Sequence, residues 1–157
     1  MEDGKTPTWF NFASQIMNSF GFDYSIKCDS DTFVRVDRFF QIAPDYFPRN
    51  ARSRYAGKMT WSFLRNHTYM EGQFYVLSKD LAELVASMSV KQVNGVVNIE
   101  DSDTGYFIMN QNRVVHMIVL RDKHGRLPWR HPLKKANEFI DVLKRESRRL
   151  FGNESLY

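Results

Sequence analysis

Apolar positions along this chain alternate between helical and strand-like spacing. Trp9, Phe12, Ala13, Ile16, Met17 and Phe20 recur every three to four residues, with Thr6-Pro7 supplying start chemistry and Gly21 a stop, so a helix burying that face is expected. Phe22 to Cys28 reads as a short strand that ends at Asp29 and Asp31. Phe33, Val36 and Phe40 then mark one face of a second helix, broken before Pro44. Tyr69 to Leu77 has an apolar strand-like centre, followed by Ser78 at an N-cap position and by Leu81, Leu84, Val85 and Met88 as a helix face. Asn98 to Gly105 places several acids ahead of Tyr106, Phe107, Ile108 and Met109. Val114 to Val119 suits a strand, with His116 on one face. Leu133, Ala136, Phe139, Ile140 and Leu143 give the core stripe of a last helix, leaving Lys144, Arg145, Arg148 and Arg149 as a solvated basic face. Helix, strand, acidic turn, helix is the order of an α/β sheet that collects ligands at a strand's carboxyl end.

Composition sharpens this. At 157 residues, 43% of them hydrophobic, the chain fits one domain with a real core. Pro44 to Arg54 is the most linker-like stretch and reads as a surface loop within it. The formal charge of +4 suits an anionic partner. Cys28 is the only cysteine, which excludes an internal disulfide, and its strand position predicts a small core residue. No stretch approaches the roughly 20 apolar residues of a membrane span, and the chain carries no signal-peptide pattern. Asn66-His67-Thr68 and Asn153-Glu154-Ser155 are N-glycosylation triplets, usable if the protein meets a secretory lumen.

The candidate chemistry lies in three acidic or glycine-bearing segments. Asp29-Ser30-Asp31 at the end of a strand can hold a divalent cation against a diphosphate, or merely cap the following helix. Glu100 and Asp101 can offset a helix dipole, or one of them can abstract a proton at a pocket rim. Context decides between these.

Lys27-Cys28-Asp29-Ser30-Asp31-Thr32-Phe33-Val34, Tyr69-Met70-Glu71-Gly72-Gln73-Phe74-Tyr75-Val76-Leu77-Ser78 and Glu100-Asp101-Ser102-Asp103-Thr104-Gly105 stand in this order. Together they resemble the β-1,3-galactosyltransferase and β-1,3-N-acetylglucosaminyltransferase family of Fringe-related glycosyltransferases. That family reads Lys-x-Asp-Asp-Asp-Thr-Phe-Val, Tyr-x-x-Gly-Gly-Gly-Tyr-Val-Leu-Ser and Glu-Asp-Val-x-x-Gly. The resemblance implies an α/β GT-A-like fold, here a single partial catalytic domain over residues 1–157, truncated on its N-terminal side. It also implies transfer of galactose or N-acetylglucosamine from a UDP-sugar to a glycan hydroxyl, with inversion, in a β-1,3 linkage.

By the same resemblance Asp31 is the ligand of Mn²⁺ or another divalent cation, with Asp29 and Ser30 near the nucleotide and metal shell. Asp101 is the base and Glu100 shapes its field or touches the acceptor. The family's second metal ligand is a downstream histidine. His131 is the choice and His124 the runner-up, while His116 belongs to a strand and His67 to a sequon loop. Tyr69, Gly72, Gln73 and Phe74 fall on the acceptor side, where Gln73 and Phe74 replace glycines and are expected to narrow it. The family's setting is the Golgi, with membrane contact only through an upstream anchor this chain does not carry. A binding remnant of the fold without turnover is the alternative. A third possibility, with no family behind it, is a nucleic-acid binder using Arg35, Arg38, Arg49, Arg52 and Arg54 along a groove.

Overall fold

The computed structural model describes residues 5–88 and 99–151. The N-terminal residues of the Asn98 to Gly105 segment and the Asn153 triplet therefore lie partly or wholly outside the described residues. A four-stranded mixed sheet in the order β1-β4-β3-β5 carries helices on both faces. β1 (Tyr24–Cys28) and β3 (Arg54–Ser62) flank β4 (His67–Ser78) antiparallel, and β5 (His116–Val119) runs parallel to β3. β4 is buried from Gly72 to Ser78, as the near-continuous apolar run of a two-sided central strand requires. A separate ribbon pairs β2 (Phe33–Val34) with β6 (Trp129–Arg130).

On one face, α1 (Lys5–Phe20), α3 (Lys79–Ala86) and α4 (Glu100–Met109) pack on Tyr55, Met70, Tyr75 and Leu77. On the other, Phe39 of α2 (Val36–Tyr46) meets Ala56, Phe74, Val76, Leu120 and Trp129. Alternate residues of β4 thus serve two different cores. The closing helix α5 (Ala136–Phe151) is tied down by the 2.8 Å ion pair between Arg35 and Glu146.

The elements match the apolar pattern better than their buried faces do. In α1 the inward stripe is Phe10, Ala13, Ser14 and Met17, whereas Trp9, Phe12 and Phe20 are exposed. α1 also begins by Lys5, so Thr6-Pro7 lies inside its first turn. Phe33 belongs to β2 and not to the second helix, whose buried side is Arg38, Phe39 and Ile42 while Val36 and Phe40 face solvent. Pro44 is tolerated inside α2 near its end, where the Phe47 N–H closes the last turn on the Ala43 carbonyl at 2.8 Å. The surface loop is correspondingly shorter at its front. Among the described side chains of α5, Val142 is buried and Ile140 and Leu143 are exposed. Cys28 is exposed, contrary to expectation, because β1 is an edge strand. Desolvation by the atoms packed around it and then the Asp29 charge still push its thiol up, which keeps the thiolate scarce. Among the described residues no helix is long and apolar enough to cross a membrane.

Candidate metal and acid-base site

Where β1 ends, the backbone turns against β4. The Asp29 N–H donates to the Gln73 carbonyl at 3.4 Å, and the Thr32 hydroxyl donates to the same oxygen at 2.9 Å. Thr32 N–H closes the turn on the Asp29 carbonyl at 3.1 Å. The turn leads into β2, and the ribbon it forms with β6 brings a distant histidine to it. Phe33 stands opposite Arg130, and the Leu133 N–H donates to the Asp31 carbonyl at 2.9 Å, so His131 between them is held over the acids. Its Nε2 lies 3.1 Å from Asp31 Oδ1 and 3.8 Å from Asp29 Oδ2.

One ligand atom each from Asp29, Asp31 and His131 falls within 4.8 Å of the others. Ligands around one divalent ion stand at most about twice a bond of roughly 2.2 Å apart. Two hard carboxylates and an imidazole at this separation therefore fit such an ion after slight side-chain adjustment. His124, the runner-up, is in an exposed turn, its N–H bound to Asp122 at 2.9 Å, and His116 is exposed on β5. Ser30 is exposed beside the pair, in an open cleft of ≈ 620 Å³ whose walls include Leu133, Lys134 and Phe139.

Two lysines balance the acids. Lys134 ion-pairs with Asp31, and that ammonium first, with His131 assisting, holds the Asp31 carboxyl below the usual carboxylate range. Lys27 reaches Asp29 Oδ1 at 3.4 Å while its ammonium lies 5.6 Å from the centre of the Tyr75 ring.

Asp101 is held separately, in the first turn of α4. Its Oδ2 accepts the Gly72 N–H at 2.6 Å and its Oδ1 the Ser102 N–H at 3.0 Å. Burial nevertheless outweighs these bonds and pushes its carboxyl up. Both glycines of the surrounding motifs have a steric reason here. A Cβ on Gly72 would stand 3.3 Å from Asp101 Oδ2, and one on Gly105 would stand 2.3 Å from the Tyr69 Cβ. Glu100 turns one carboxylate oxygen into a fully shielded position.

Of the residues expected on the acceptor side, Tyr69 and Gly72 stand near Asp101, whose charge, after burial, raises the Tyr69 hydroxyl. Gln73 and Phe74, also expected there, are both buried. Phe74 stacks on Trp129 at 4.6 Å in the second core, and Gln73 Oε1 accepts the Trp129 indole N–H at 2.8 Å. The larger side chains are absorbed into the interior.

Other residues gave no usable sequence signal. His67 is no loop residue: it opens β4, is buried, and its Nε2 contacts the Ser102 carbonyl at 2.9 Å, steadying the turn that carries Asp101. Lys134 is 103 positions from Asp31, beyond any local pattern. The arginines proposed as a groove are dispersed. Arg35 and Arg38 are buried, the second 3.7 Å from Asp122, and Arg54 donates to the Tyr46 carbonyl at 3.1 Å.

No family model matches the chain. Among curated proteins it is similar to the β-1,3-galactosyltransferase pvg3 of the fission yeast Schizosaccharomyces pombe, 32% identical over 94 residues. The match takes in 55% of this chain and 23% of the yeast protein, so it spans about a quarter of that relative. The mixed α/β architecture is compatible with a GT-A-like fold, and the relationship over the matched span is galactosyltransferase-like.

Proposed function

We propose that this chain is the metal-and-base portion of a glycosyltransferase that moves a hexose from a UDP-sugar to a glycan hydroxyl. The observation that carries this reading is the gathering of Asp29, Asp31 and His131 at one residue of β4 and the anchoring of a half-buried Asp101 at the next. Two centres with different jobs need different environments. Asp31, His131 and Asp29 would hold Mn²⁺ or a similar ion, which when bound would supply positive charge to offset the negative charge accumulating on the UDP leaving group. Asp101 takes the proton from the acceptor hydroxyl, and its raised affinity for that proton makes it a stronger base than a solvated aspartate. The Gly72 and Ser102 N–H groups aim the carboxylate, and Tyr69 flanks the acceptor side. Galactose or N-acetylglucosamine as the sugar, inversion, the β-1,3 linkage and Golgi residence extend the same proposal.

Calorimetry with UDP and Mn²⁺ tests the metal assignment. Mn²⁺-dependent UDP binding that disappears in Asp31→Ala and in His131→Ala supports it, and binding unchanged by both removes it. Transfer lost in Asp101→Asn with UDP binding retained supports the base assignment. The Lys134 ammonium paired with Asp31 favours one competing reading, a binding segment without turnover. UDP binding with no transfer to any acceptor would select that alternative.

A further inference from the structure

The β3–β4 hairpin carries a feature that the transferase site does not use. Phe63 (90%) and Leu64 (74%) stand exposed in the four-residue turn at its tip, and Trp61 (45%) is exposed in β3 just before it. Two residues fasten this turn to α4. Arg65 lies 2.8 Å from Asp103 and stacks 4.7 Å over the Tyr106 ring, while His67 contacts the Ser102 carbonyl. Asn66 stands between these inward residues, exposed, in a left-handed conformation with φ of 50°. Thr68 lies two residues on, directly opposite Trp61 in the strand register, and only partly buried. The Asn-x-Thr triplet is thus displayed at the end of a hairpin, beside apolar rings of the kind the flat, C–H-bearing face of a sugar covers.

We propose that Asn66 carries an N-linked glycan whose first sugar covers Trp61 and Phe63. The donor class is a lipid-linked diphosphate oligosaccharide of the secretory pathway. Its sugar C1 bonds to Asn66 Nδ2, the bond to the lipid diphosphate breaks, the diphosphate leaves, and the amide proton passes to the host enzyme's base. The proposal takes only lumenal placement from the transferase reading.

The test supplies that placement. The chain is secreted from cultured animal cells behind a heterologous cleavable signal sequence, and the recovered protein is peptide-mapped after glycosidase release of N-glycans in heavy-oxygen water. Conversion of Asn66 to labelled aspartate is expected, as is one glycan fewer by intact mass in Asn66→Gln and in Thr68→Val, with the Asn66 glycan kept in Asn153→Gln. A secreted chain whose Asn66 peptide is unlabelled overturns the proposal, whether or not Asn153 is modified; because this result comes from the unmutated chain, poor folding of a variant cannot obscure it. Release of the glycan should increase acrylamide quenching of tryptophan fluorescence, and this increase should vanish in Trp61→Phe. Unchanged quenching removes the covering role. A glycosylated chain that binds no UDP would leave Asn66 standing and sink the transferase reading instead.

Discussion

Replacing Gly105 with alanine should be the costliest single-methyl addition near the site. Glycine within a helix normally gives up about 1 kcal/mol to alanine, so propensity alone predicts stabilisation. Packing predicts the reverse. The added Cβ would sit 2.3 Å from the Tyr69 Cβ and 3.2 Å from its Cα. Carbon atoms rest at about 3.5 Å or more, so α4 and β4 must part by about 1.2 Å. No rotamer change helps, because the atoms struck belong to the strand's backbone and first side-chain carbon. Overpacking of this kind costs about 1–3 kcal/mol, and with immovable atoms the upper end applies, leaving a net loss of about 2 kcal/mol after the propensity gain. Gly72→Ala is the matched control. The atoms nearest its Cβ are those of the Asp101 side chain at 3.3–3.4 Å, which can yield, so stability should change by less than about 1 kcal/mol while the carboxylate is displaced. Urea unfolding followed by circular dichroism measures both. A Gly105→Ala variant as stable as the parent, or one less damaged than Gly72→Ala, would refute the packing argument.

Arg65→Ala leaves Asp103, 1% exposed, without its cation and should cost about 3 kcal/mol at neutral pH. Burial raises the Asp103 carboxyl, so that loss should shrink as acid protonates it, which urea titrations at two pH values would reveal. Asp101 also has a carboxyl raised by burial, so its contribution to stability is fully present at low pH and is lost as pH rises through its folded value. The same shift places the acid limb of the transfer-rate profile above the ordinary aspartate value of about 4, and a limb at or below that value would contradict Asp101 as base. Lys134→Ala should tighten Mn²⁺ binding in the absence of UDP by up to about fivefold, since the ammonium no longer competes for Asp31. Calorimetry showing weaker binding would mean that Lys134 supports the site.

The sequence made the α/β order and the acidic turn legible because both are local: a strand pattern ending in Asp29 and Asp31, and a helix opening with Glu100 and Asp101. The His131 partnership was reached by resemblance, and its cause is the β2–β6 ribbon, whose two-residue strands are too short to leave a periodic trace. Helix faces were misjudged where aromatic residues dominated, since Trp9, Phe12, Val36 and Phe40 are apolar yet exposed while Arg38 is buried beside Asp122. Hydrophobicity counts side chains, whereas burial depends on which of them meets a neighbour. Gln73 and Phe74 show the same limit: their bulk suggested a narrowed cleft, but Trp129 offers one a hydrogen bond and the other a stacking face.

The two acidic centres read adjacent residues of one strand: Asp101 accepts the N–H of Gly72, and the Asp29 turn donates to the carbonyl of Gln73. Consecutive α-carbons are fixed about 3.8 Å apart by covalent bonds. The strand is therefore a ruler whose graduation cannot stretch, and thermal motion can tilt either centre but not slide one past the other. Point changes can silence the centres independently. A single residue inserted into β4 after Gly72 would instead shift the frame between them, and proton abstraction and cation binding would fall out of step while every named side chain was still present.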